Sequence, residues 1–278
     1  MATKPHILHR ESFPRSNSYD PEWIMDHQMG PNPLWLAEWL WGVLDLKPGM
    51  RVLDLGCGTA LTSMFFAKEF DVQVWATDLW VHPDENWRRI DEQGLGDRVF
   101  PVRAEAHALP FAAGFFDAVI SVDAYQYFGT DRLYLGYISR FLKGLGKIGI
   151  VVPGLMQSFD GAVPEHLLQP QANGVAFWED ECRSFLTTGE WRRLWERSGR
   201  ISLQGADEMP DGWKLWRDFE AALEQSGKNR FPSVAEALDW DQGRYLGFVR
   251  LVGIRENMDD FLNLYDPGVI STLDKMAE

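Results

Sequence analysis

Residues 51–61 read R-V-L-D-L-G-C-G-T-A-L, a short apolar run that carries one aspartate and ends on two glycines. The run has the length and composition of a strand, and residues 62–70 behind it read as a helix. At a strand end Gly56 and Gly58 let the backbone turn sharply and approach a ligand closely, where a Cβ would collide with it or forbid the required φ. A nucleotide-like ligand against this turn is implied. The dinucleotide fingerprint G-x-G-x-x-G/A is a poor fit, because its third small position is Leu61. Asp54, two residues before the first glycine, would repel a pyrophosphate and attract an ammonium group. The stretch favours a nucleoside that carries positive charge in place of phosphates.

Outward from the motif the chain alternates. Strands are expected over residues 72–78, 98–105, 116–123 and 147–153, with helices over 85–93 and 133–145. Such alternation predicts a doubly wound parallel sheet, whose ligands sit beyond the carboxyl ends of the strands. Upstream, Asp20 and Pro21 form a helix start. Residues 33–46 read as an amphipathic helix closed by Lys47-Pro48-Gly49, with Trp35 and Trp39 on its core face. Beyond Pro153 the pattern loosens into helices over 190–199, 213–225 and 234–238, a strand over 200–205 and a long final strand over 243–256. This divides the chain into an N-terminal arm or lid with the first helix (1–48), a ligand-binding core (49–155), and a substrate-side insertion with the remaining strands (156–278).

Of the 278 residues, 45% are hydrophobic and 24% charged, which suits a globular domain with a large insertion. The net charge of −14 repels polyanions, so nucleic acid and an anionic membrane surface are disfavoured and neither is expected as a partner. The two cysteines, Cys57 and Cys182, form neither a disulfide framework nor a metal cluster. No metal is expected. The first residues lack a signal peptide's apolar core and no apolar run reaches a membrane span, so a cytoplasmic protein is expected.

Three further stations share the strand-end logic. Asp78 closes the second strand, where a carboxylate can accept hydrogen bonds from ribose hydroxyls or cap the following helix. Glu105 and Ala106 follow the third strand, and Asp123 follows the fourth, leading into Ala124, Tyr125, Gln126 and Tyr127.

Together V-L-D-L-G-C-G-T-A, V-W-A-T-D-L-W, V-R-A-E-A-H-A-L-P-F and F-D-A-V-I-S-V-D-A-Y-Q-Y-F resemble, in order and spacing over residues 50–153, the class I S-adenosylmethionine-dependent methyltransferases. The resemblance implies an α/β fold, a Rossmann-like doubly wound seven-stranded sheet with an antiparallel last strand, a helical N-terminal lid and an insertion between strands five and seven. It implies S-adenosyl-L-methionine as cofactor and in-line transfer of its methyl group to a small-molecule acceptor. Asp54 would lie near the methionyl amino group, with Gly56, Cys57 and Gly58 in the turn around the cofactor. Asp78, Leu79 and Trp80 would lie at the ribose, Glu105 and Ala106 beside the adenine, and Asp123 beneath the cofactor. The chain departs from the family at Ala60, often a third glycine, and at Glu105, usually an aspartate.

Tyr19, Met29 and Gly30 are expected to cover the methionine end, as parts of a lid. Tyr125, Tyr127 and Trp178 are candidates for the acceptor wall, and His27, His107 and Tyr125 for the proton-accepting or catalytic role. A homodimer is compatible with the reading. Two other functions remain open on the sequence: a catalytically silent S-adenosylmethionine-binding module, and a nicotinamide-dependent oxidoreductase.

Overall fold

The computed structural model describes residues 7–256. Its centre is β1 (Arg51–Leu55), flanked by β2 (Gln73–Asp78) and β3 (Val99–Arg103) on one side and by β4 (Phe116–Val122) and β5 (Leu142–Leu155) on the other. These five strands run parallel, so their carboxyl ends share one edge. β6 (Ile201–Glu208) and β7 (Leu246–Arg255) complete a sheet of order β3-β2-β1-β4-β5-β7-β6, in which β7 runs antiparallel to both of its neighbours. The chain reverses its direction of growth between β2 and β4, at β1, which opens a crevice where the glycine turn lies.

Side-chain alternation along β1 sets what each face receives. Val52 faces a core built from α2 (Pro33–Leu44) and α3 (Leu61–Phe70), while Leu53 and Leu55 face a second core that includes Trp191 and Trp195. Asp54 falls on the face of Val52 and meets the first turn of α3. Helix ends follow the expected chemistry. Asp20 caps α1 (Pro21–His27) by accepting from the Glu22 N–H, and Asn32 caps α2 by accepting from the Leu34 and Trp35 N–H groups. α4 (Pro83–Glu92) starts at His82, whose side chain accepts from the Asp84 N–H.

One element differs from expectation. The helix expected over 133–145 is only α5 (Tyr134–Ser139), and the chain enters β5 at Leu142. Gly144 and Gly146 weaken the helix, and Leu145 adopts a φ of +62° beside a register shift against β4. Beyond β5 lie the four-residue α6 (Glu165–Leu168), α7 (Thr188–Ser198), α8 (Gly212–Ser226) and α9 (Ala235–Asp241). A reciprocal cap between Thr187 and Glu190 starts α7. No helix among the described residues is long and apolar enough to cross a membrane.

The N-terminal arm is anchored at several points. Buried Glu38 accepts from the Arg15 N–H, the Ser16 N–H and the Ser16 hydroxyl at 2.9, 2.8 and 2.7 Å. Arg10 pairs with Asp218 on α8 at 2.9 Å, and Lys228 pairs with Glu22 and Asp26 at 2.8 and 2.7 Å. These contacts hold α1 and the residues after it between α8 and the parallel strands.

Candidate functional site

Sequence-predicted residues converge at the strand ends, among them Asp54, Gly56, Cys57, Gly58, Asp78 and Asp123. The N–H groups of Gly56 and Cys57 both donate to the Thr77 carbonyl at 2.9 Å, which fastens the turn to β2. Gly56 has a φ of +73° and Gly58 one of +53°. An added Cβ would stand 2.4 Å from Ala124 Cβ at Gly56 and 2.9 Å from Met29 Sδ at Gly58. The bare backbone is thus demanded by protein neighbours as well as by φ. Met29 lies on Gly58, and a Cβ on Gly30 would stand 2.4 Å from Asp123 Oδ2. The arm therefore closes over the turn and over Asp123.

Asp54 is fully buried. Its Oδ2 accepts the Thr62 and Ser63 hydroxyls at 2.6 Å each, while Oδ1 has no hydrogen-bond partner. Burial pushes the carboxyl up to about 6, against the lowering effect of the two hydroxyls. An orphaned, buried carboxylate oxygen lacks a donor, as an ammonium would be. Nearby, Ala60 precedes α3 at the capping position with a φ of +66° and supplies no side-chain cap. The first amides of α3 have no intrahelical partner and point towards the turn.

Asp78 is used differently from a helix cap. Its Oδ2 accepts the Gly58 N–H at 2.8 Å and its Oδ1 accepts the Trp80 and Val81 N–H groups at 2.8 and 2.9 Å. Of the roughly four lone-pair directions of a carboxylate, three are filled, which leaves one open. Trp80 and Leu79 are exposed, and the Trp80 ring lies 6.3 Å from that of Tyr127, so the two aromatics flank the crevice mouth. The Cys57 thiol is buried beside Asn86 and pushed up by burial. Glu105 is exposed, with one oxygen on the His107 N–H at 2.8 Å and the other on His107 Nδ1 at 2.9 Å; the Ala106 carbonyl accepts from the Tyr134 hydroxyl at 3.1 Å.

Asp123 ends β4 with a φ of +56°. Its surface is half-buried, and the protein packed around it pushes its carboxyl up to about 7. Gln126 Nε2 donates to its Oδ1 at 3.3 Å.

Four expected residues lie elsewhere. Tyr19 does not reach the turn: its hydroxyl donates to Glu69 at 3.0 Å and its ring packs on Phe65, because the Glu38 clamp directs it to the far half of α3. It serves as an anchor of the arm. Tyr125 is fully buried in the second core, 5.8 Å from Trp191 and 6.2 Å from Trp195, since the turn after Asp123 sends it through to that face. It cannot touch an acceptor on the Tyr127 side. Trp178 packs on Phe159 at 4.9 Å within the added segment. His27 directs Nδ1 to the Trp23 carbonyl at 2.9 Å and meets the turn only through its own carbonyl, which the Thr59 hydroxyl contacts.

Three residues that the sequence reading passed over belong here. Thr62 and Ser63 are the hydroxyls on Asp54, and their position in the first turn after the motif was a usable signal. Glu220 is 8% exposed on α8, and burial pushes its carboxyl up to about 7. It lies on the same helical stripe as Trp216 and Leu223, where a carboxylate is out of keeping with the pattern.

Residues 52–146 match the profile of the methyltransferase domain family. The chain is 27% identical over 162 residues to the methyltransferase GfsG of Streptomyces halstedii, covering 57% of this chain and 56% of that one. It is 32% identical over 124 residues to the sarcosine/dimethylglycine N-methyltransferase of Aphanothece halophytica, covering 44% and 43%. The chain thus spans about half, or less, of the length of such relatives. A Haemonchus contortus phosphoethanolamine N-methyltransferase solved with S-adenosyl-L-methionine shares the fold at a TM-score of 0.65 and 18% identity, covering 92% of this chain and 61% of that one.

Proposed function

For a chain whose core belongs to the class I S-adenosylmethionine-dependent methyltransferases, we propose methyl transfer from S-adenosylmethionine to a small-molecule acceptor. The carrying observation is Asp54: a buried carboxylate with one unpartnered oxygen under a glycine turn and beside the uncapped start of α3. That donor and acceptor set suits an amino acid moiety, with Asp54 for its ammonium and the first α3 amides for its carboxylate. Asp78 offers its remaining lone pair to a ribose hydroxyl, and Trp80 an aromatic face to the base. When bound, S-adenosylmethionine supplies a methyl group already activated as a sulfonium. The protein's part is alignment and exclusion of water, and orientation alone can lower a barrier by ~7–11 kcal/mol. Met29 and Gly30 exclude water by covering the turn and Asp123. The net charge of −14 supports a small acceptor rather than a polyanion, and a cytoplasmic setting suits the two free cysteines.

Thermal shift and calorimetry with S-adenosylhomocysteine and with NAD test this reading. Stabilisation by S-adenosylhomocysteine and none by NAD is expected, together with radiolabelled methyl in a small-molecule fraction of cell extract. Binding without any transfer would leave only a silent binding module, and stabilisation by NAD alone would end the methyltransferase reading.

The arm gives a separate expectation. Gly30→Ala drives a Cβ into Asp123 Oδ2, so either that carboxylate turns away or the segment lifts from it. About 10-fold weaker S-adenosylhomocysteine binding is expected, of order 1.4 kcal/mol, with faster proteolysis of residues 7–30. Unchanged affinity and unchanged proteolysis would show that the arm is no wall of the site.

A further inference from the structure

The space between Asp123 and α8 holds negative charge without a partner. Asp123 and Glu220 repel one another, and among the described residues neither forms an ion pair with a lysine or arginine. The nearby cations are engaged elsewhere: Lys228 with Glu22 and Asp26, Arg217 with Asp218 and Asp239. Glu220 has partial satisfaction from the Ser233 hydroxyl and the Val234 N–H at the start of α9. Gln126 is 1% exposed, and while its Nε2 is on Asp123, its Oε1 has no partner. Asp123 and Gln126 thus place a carboxylate and an unpartnered amide oxygen side by side where the described residues supply no cationic donor, with Glu220 as a second negative charge within electrostatic reach. A buried acceptor without a donor is uncommon in folded proteins, and a cationic occupant that donates N–H groups would satisfy Gln126 Oε1 and offset the charge of the two carboxylates.

A small apolar crevice is lined by residues that neighbour Gly30 and Glu220 in the chain. Pro31, Trp35, Met209, Leu215, Trp216 and Phe248 line it with apolar surface. It begins one residue after Gly30, which lies on Asp123, and Trp216 stands one helical turn before Glu220.

We propose that the acceptor is a small alkylamine taken up in its ammonium form, with Asp123 receiving the cation and one of its protons and with Gln126 and Glu220 completing the anchorage. The assignment rests on the methyl-transfer reading above. An ammonium nitrogen has no lone pair and cannot be methylated. Asp123 therefore takes one proton from it, and the freed lone pair forms the new nitrogen–carbon bond while the electrons of the carbon–sulfur bond remain on sulfur. The methylated product leaves as an ammonium ion, and Asp123 returns its proton to water. Asp123 follows β4 at the strand ends where the glycine turn lies, whereas Glu220, on α8, acts as a second charge that selects for a cation.

The test uses the full chain saturated with S-adenosylhomocysteine, so that binding is read without turnover. Dimethylaminoethanol, dimethylbutylamine and dimethylbenzylamine, all cationic at neutral pH, are titrated calorimetrically beside their uncharged carbon isosteres. At least one amine is expected to bind 10-fold or more tightly than its isostere. Asp123→Asn, which tolerates the same positive φ, should abolish that preference, and Glu220→Gln should reduce it several-fold while S-adenosylhomocysteine affinity stays within twofold. With labelled S-adenosylmethionine, label should enter amines and not the matching alcohols. No preference for any amine over its isostere would overturn the proposal, as would label entering only alcohols. A third overturning result is an Asp123→Asn protein that keeps the amine preference but changes its relative affinity for S-adenosylmethionine and S-adenosylhomocysteine, since the charge would then serve the sulfonium. In each of these cases S-adenosylhomocysteine binding stands as a separate result, and its absence would count against the methyltransferase reading itself.

Discussion

Replacing Asp78 with alanine is expected to weaken S-adenosylhomocysteine binding about 30-fold or more, which corresponds to the ~2–5 kcal/mol typical of truncating one partner of a buried charged contact. Two losses combine. The ribose would lose its acceptor, and the turn would lose its fastening, because Gly58, Trp80 and Val81 all donate to this one side chain. Hydrogen bonds to a charged group contribute ~1.5–3 kcal/mol each, so the unliganded protein should also be destabilised, by about 3 kcal/mol or more. Asp78→Asn separates the two losses. Its amide keeps an oxygen for Trp80 and Val81 but turns an N–H group towards the Gly58 N–H, so the glycine turn should loosen while the following residues hold. Hydrogen exchange at Gly58 and at Val81 reads this directly. Equal protection at both sites in wild type and variant, with unchanged affinity, would remove Asp78 from the cofactor site.

The unliganded protein is expected to lose stability as pH rises from 5 to 8, by on the order of 5 kcal/mol. Asp54, Asp123 and Glu220 are held by burial at about 6, about 7 and about 7, above the ordinary values of 3.8 for aspartate and 4.5 for glutamate. Between pH 4 and 7 the folded chain therefore binds more protons than the unfolded one. The stability these groups contribute is complete below their unfolded values and disappears as pH passes through their folded values. Asp45 and Asp117 are lowered instead, Asp45 mainly by Lys47 and Asp117 by Lys143 and the Arg51 N–H against a contrary effect of burial. Their effect falls below pH 4, outside the window. Urea midpoints at pH 5 and pH 8 measure the slope, and Asp123→Asn should remove part of it. A midpoint that rises from pH 5 to pH 8 would mean that these carboxylates are ionised and paired in the fold.

The alternation of strands and helices around residues 51–61 was readable because each element carries its own period, turn and cap. Asp20, Gly56 and Gly58 needed no tertiary information: a proline after a capping residue and glycines at a strand end are local signals. The limits of local reading appear at residues 133–145. An apolar run there suits helix or strand equally, and only pairing with β4 decides that Leu142 begins a strand. Aromatic side chains were the least legible. Tyr19, Tyr125 and Trp178 have the composition of a binding wall, yet each packs within the protein, since direction depends on a clamp or a turn elsewhere in the chain.

The sequence by itself determined the parallel core and the acidic residues at its strand ends, because strand period, turn chemistry and charge are properties of neighbouring residues. Only the tertiary structure decided that Met29 and Gly30 close over Gly58 and Asp123, and that Glu220 comes within electrostatic reach of Asp123. These pairs are separated by some 30 to 100 positions in the chain, and their meeting follows from how helices pack on the sheet.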